Sequence, residues 1–228
     1  MNYFKRLFQF KRAGMQDWLG RWEKHNDWGQ LNRHSAAKNS IWFLGGSDVL
    51  GIGVKSNEVS SFLLEQQTGI RVFNAGINGA SPITVKDELF KMLDKGLTPK
   101  GIIIAWPYAT RWQHYTKLGT RVLWTPMHLD SNLVHHNNHY GCKKLYPKEY
   151  KEYLRLLKDN SIIELNKNAI TETRNRIKDI PNIEFTFINE GVLDVKQLTP
   201  EIDRASEHPG PLTHKKVADI LTDIVKDW

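Results

Sequence analysis

The stretch Ile41-Trp42-Phe43-Leu44-Gly45-Gly46-Ser47 decides the fold: four consecutive apolar residues run straight into two glycines and a serine. Apolarity that does not alternate over a strand's length is what a parallel strand covered on both faces requires. A double glycine then ends the strand in a tight turn. Downstream, Val59, Phe62, Leu63 and Gln66 space a short helix that Gly69 closes, and Arg71-Val72-Phe73-Asn74 reads as a second strand.

A helix over Thr84 to Lys95 carries Val85, Leu89, Met92 and Leu93 on one face. Gly96 and Pro99 stop it ahead of Gly101-Ile102-Ile103-Ile104-Ala105-Trp106, the third strand and the expected sheet centre. Residues 107–147 lose periodicity while gaining His, Asn, Trp and Tyr, which predicts a long excursion over the strand ends. Tyr150 to Ile180 is helical in pattern with a break near Asp159-Asn160, and Glu184-Phe185-Thr186-Phe187-Ile188 is a fourth strand. Val217, Ile220, Leu221, Ile224 and Val225 stripe a last helix over His214 to Trp228. Strands alternating with helices predict a three-layer α/β/α domain with a mostly parallel central sheet. We expect one such domain over residues 40–228, with the excursion at about 107–148 and an N-terminal helical extension over 1–39.

Composition narrows the function classes. The 228 residues, 40% hydrophobic and 25% charged, describe an ordinary globule, and no run reaches the length of a membrane-spanning helix. The net charge of +7 is dispersed, with Lys and Arg alternating with Asp and Glu, so a solvated surface is expected and nucleic acid is not. The lone Cys142 has no partner for an internal disulfide. The N-terminus lacks the continuous apolar run of a signal peptide, so a cytoplasmic location is expected. Phe4, Leu7 and Phe8 among basic residues describe a helix packed on the domain or a partner, or one lying on a membrane surface.

In a sheet of this kind the ligand crevice lies beyond the carboxyl ends of the strands. Ser47 sits at such an end in a glycine-flanked turn, where its hydroxyl serves as a nucleophile or caps a helix. His208 precedes Pro209-Gly210 and the last helix, in a loop able to bring a base to that edge. His135, His136 and His139, with His128 and Asp130, have a metal-binding composition, but their spacing fits no standard site. Trp106, Trp112, Trp124, Tyr108 and Tyr115 form either an aromatic wall for a ligand or the packing of the excursion onto the core.

The segment Phe43 to Gly51 resembles the first block of the SGNH (GDSL-like) hydrolases, an apolar strand running into G-D-S-x-x-x-G, with Gly46 in place of the usual Asp. Val72-Phe73-Asn74-Ala75-Gly76-Ile77-Asn78-Gly79-Ala80-Ser81 is similar to the second block, with Gly79 on the oxyanion-hole glycine. Glu207-His208-Pro209-Gly210 partly matches the last block, D-x-x-H-P. The resemblance implies a flavodoxin-like α/β/α fold and a serine hydrolase cleaving a carboxylic ester, such as an O-acyl group on a carbohydrate or other small molecule, without metal or organic cofactor. Ser47 would be the nucleophile, His208 the base, and Ser47 and Gly79 the oxyanion hole.

Two departures stand out. Trp106-Pro107-Tyr108-Ala109-Thr110-Arg111 lacks the third-block asparagine, leaving Arg111, Asn78 or Tyr108 to support the oxyanion or substrate. Ala205 stands where the acidic partner of the histidine belongs, so Asp203 is the expected third member. The alternative reading is a related binding or structural module in a larger assembly, with its catalytic site degraded.

Overall fold

The computed structural model describes residues 38–115, 117, 121–126, 143, 146–187, 192–200, 202–205 and 208–228. The N-terminal segment 1–37, the histidines and Asp130 of the 127–142 stretch, and Cys142 lie outside the described residues. Four parallel strands, β1 (Ile41–Gly45), β2 (Val72–Gly76), β3 (Gly101–Ala105) and β6 (Asn182–Phe185), form the central sheet in the order β2-β1-β3-β6. The two inner strands are buried along their whole length, as their unbroken apolar sequence requires.

The pleat sends alternate residues to opposite faces. Trp42, Leu44, Ile102 and Ile104 pack against α3 (Pro82–Asp94) and α5 (Ser161–Ile177). Ile41, Phe43, Ile103 and Ala105 pack against α2 (Ser60–Thr68) and α6 (Pro211–Val225). The result is the expected three-layer α/β/α arrangement. Full burial of a side chain such as Phe43 or Ile103 contributes about 1.5–3 kcal/mol over its exposed state. Gly69 ends α2 in the left-handed conformation, as expected.

Two expectations need correction. The excursion contains an antiparallel hairpin, β4 (Trp112–Tyr115) with β5 (Arg121–Trp124). Its pattern was hidden because its buried positions include Gln113, which donates to Asp87 at 2.7 Å and accepts from Thr84 Oγ1 at 2.7 Å. The fourth strand begins two residues early, at Asn182, because Asn182 and Glu184 are tolerated on an edge strand. There Glu184 accepts from Trp106 Nε1 (2.8 Å) and Arg174 Nε (2.7 Å). The break expected near Asp159-Asn160 is present: α4 (Pro147–Lys158) and α5 are separated where Asn160 adopts φ +58°. Among the described residues no helix is long and apolar enough to cross a membrane.

Candidate active site

Ser47 opens a single helical turn, α1 (Ser47–Leu50), immediately beyond β1, and is 1% exposed. The turn is held close to the sheet. Gly76, ending β2, lies so near the Leu50 backbone that a Cβ there would collide with it. Asn74 secures the same contact from the side: its Nδ2 donates to Val49 O (2.7 Å) and Ser61 Oγ (2.8 Å), and its Oδ1 accepts from Gly76 N–H (2.9 Å). Sequence reading placed Asn74 in a family block but missed this role. It clamps the element that carries Ser47.

The chain leaves β2 through a turn in which Ile77 N–H donates to Gly45 O at 3.0 Å, bringing residues 77–80 beside the end of β1. Gly79 is buried there with φ +74°, a conformation that favours glycine. Asn78 is half-buried in the same turn. The chain returns to this edge through a two-residue ladder, β7 (Arg204–Ala205) with β8 (His208–Pro209), and Cα atoms of β8 lie within 8 Å of α1. Ser47, Gly79 and His208 are therefore gathered at the carboxyl edge of the sheet.

Asp203 sits at the start of α6. Its carboxylate accepts from the N–H groups of Leu212 (3.1 Å) and Thr213 (2.9 Å) and from the Thr213 hydroxyl (2.9 Å), serving as a cap for α6. Partial burial raises its pKa, but these donors and the neighbouring His214 outweigh that and hold it below the usual carboxylate range. Asp203 O also accepts from Gly210 N–H at 2.9 Å. Asp203 thereby pins both ends of the segment that carries His208.

Arg111 is the most informative residue at this edge. It is 7% exposed, its Nη1 donates to Ala80 O at 3.2 Å, and its Nε is buried without a partner. The guanidinium lies 4.8 Å from the centre of the half-buried Tyr108 ring. A methyl carbon built on Gly46 would sit 3.3 Å from Nη1, so the charge occupies the space between the Gly46–Ser47 turn and the Gly79–Ala80 turn. Among the described residues it forms no ion pair.

The loop bearing Arg111 is fixed at three successive carbonyls. Asn166 Nδ2 donates to Ala109 O (2.6 Å) and Arg111 O (2.9 Å), and the Tyr153 hydroxyl donates to Thr110 O (2.7 Å). Burial raises the Tyr153 phenol far above its ordinary range, against a smaller opposing effect of Arg111, so it stays a donor. The aromatic residues divide by role. Trp106 and Trp124 are buried in packing, Trp112 stacks on Tyr153 (6.1 Å, 6° between planes), and Tyr115 is exposed. Among the described residues no cluster of side chains could hold a metal ion.

No protein-family model matches the chain, and no curated protein matches it in sequence. Among solved structures it aligns with a lipolytic protein of the G-D-S-L family from Desulfitobacterium hafniense at 11% identity, covering 82% of this chain and 100% of that one, with a TM-score of 0.40. It also aligns with the esterase EstA from Pseudoalteromonas at 14% identity, covering 84% and 98%, with a TM-score of 0.42. A third is a family two carbohydrate esterase from Clostridium thermocellum at 13% identity, covering 84% of this chain and 64% of that one, with a TM-score of 0.41.

Proposed function

We propose that this chain is an SGNH-type serine hydrolase that cleaves a carboxylic ester, the acyl group being carried by a carbohydrate or another small molecule. The observation that supports it is the meeting of the Ser47 turn, the Gly79 turn and the His208 segment at one sheet edge. Ser47 Oγ attacks the acyl carbonyl as His208 takes its proton. The oxyanion forms against the N–H groups of Ser47 and Gly79, with Arg111 supplying positive charge where the family asparagine is missing. Asn78 and Tyr108 border that space. Collapse expels the alcohol, protonated by His208. Water, giving a proton to His208, then attacks the acyl-enzyme, and His208 returns that proton to Ser47 Oγ as the acid is released.

In this scheme Asp203 acts on His208 by fixing its segment, because its carboxylate is spent on α6. That same commitment favours the second reading, a binding module with a degraded triad, over what an intact triad would allow.

The test is hydrolysis of short-chain p-nitrophenyl esters by the protein and by Ser47→Ala, with a fluorophosphonate probe for an activated serine. Turnover and labelling that both vanish in the variant support the esterase. Folded protein with neither turnover nor labelling rejects it in favour of the binding module.

A further inference from the structure

We propose that Arg111 makes this site a receptor for an anion, so that its ligand presents a carboxylate or a tetrahedral oxyanion, and that Gly46, having no side chain, withholds from Arg111 the carboxylate that an aspartate would bring. This rests on the reading of the Ser47 edge as the ligand site, but not on turnover. A guanidinium does not lose its proton in a protein. Here it is more than nine-tenths buried, bonded to one carbonyl, stacked on one ring and left with an unpartnered Nε.

A buried charge is stable only when it is paired. Ala80 O and the Tyr108 face supply partial negative charge, not a counter-ion. Tyr153 and Asn166 address the loop's carbonyls, and among the described residues no carboxylate compensates the guanidinium itself. The loop is thus held rigid while its charge is not neutralised, which is how a binding group is prepared in advance.

Gly46 supplies the second half of the inference. It has φ −87°, a conformation open to any residue, so backbone geometry does not demand glycine there. A Cβ would lie 3.3 Å from Arg111 Nη1 and 3.4 Å from Pro107 Cβ. Aspartate at this position would set a carboxylate on Arg111 and cancel its charge. Glycine instead leaves the guanidinium, packed against it directly beside Ser47, without that carboxylate. Planar carboxylates and tetrahedral oxyanions both match the donor fork. One consequence is that the acid released by ester cleavage competes with substrate, and that an ester bearing a negative group is favoured over its neutral analogue.

The experiment is thermal unfolding of the full chain at neutral pH in sodium acetate or inorganic phosphate, against sodium chloride of equal ionic strength. We expect a saturable rise in the midpoint with at least one anion, retained in Ser47→Ala and lost in both Arg111→Gln and Gly46→Asp. A response to acetate alone identifies a planar carboxylate ligand, and a response to phosphate alone a tetrahedral one. If Arg111→Gln does not fold, Gly46→Asp decides. No anion response in the folded protein overturns the proposal, as does one that survives in Gly46→Asp. Anion binding without ester turnover would reject the hydrolase while keeping the receptor, and turnover without anion binding would do the reverse.

Discussion

The side-chain amide of Asn166, on α5, donates to the main-chain oxygens of both Ala109 and Arg111, and its own oxygen accepts from Ile83 N–H at 3.4 Å. One fully buried side chain thus joins two helices to the loop that positions the cation. Asn166→Leu keeps the approximate volume but removes the bonds to both loop carbonyls and to the Ile83 N–H. We expect a loss of about 2–4 kcal/mol, since each orphaned group costs about 1–3. Urea unfolding measures it, and a change below about 0.5 kcal/mol would contradict the anchoring role.

Asn74 makes the corresponding connection under Ser47. Asn74→Ala frees the Val49 carbonyl and the Gly76 N–H, and with them the placement of α1. The expected stability cost is about 1–3 kcal/mol. Ester turnover should fall at least about tenfold in kcat with little change in KM, because orientation of the nucleophile suffers more than binding. Kinetics on the folded variant checks the split.

Asp203 sets a pH dependence. Its folded pKa lies below its unfolded value, so its contribution is fully present above the ordinary carboxylate pKa and is lost as pH falls through the folded value. Asp203→Asn should flatten the acid limb of the stability curve below about pH 4. Thermal midpoints measured across pH 2–6 would show the two proteins converging at the acid end, and parallel curves would exclude Asp203 as the source.

How much of this was written in the sequence depends on whether the signal is local. β1 and β3 could be read because burial on both faces demands an unbroken apolar run, and Ile41 to Leu44 and Ile102 to Ala105 supply it. A glycine in the turn after β2 could be read from its block, and Gly79 has φ +74° there. The cap that Asp203 makes could not. Asp203 caps α6 from eight residues before Pro211, while the local cap position is Gly210, which has no side chain to offer. The β4–β5 hairpin escaped because Trp112, His114 and Trp124 meet ring to ring and blur the alternation of polar and apolar positions. Arg111 was visible as a residue type, but its burial, and the lack of a counter-ion for it among the described residues, are properties of three dimensions.

Val122, Trp124, Tyr153, Leu156 and Ile162 form a small apolar cluster of their own, apart from the two that sandwich the sheet. A cluster of that size is a unit able to open before the rest of the molecule does. Tyr153, one of the donors that hold the Arg111 loop, belongs to it. The Arg111 loop is therefore moored to the smallest of the three apolar clusters among the described residues. Warming should cost the protein its ligand before it costs the protein its sheet, and amide exchange across the β4–β5 hairpin should outpace that of β1 and β3.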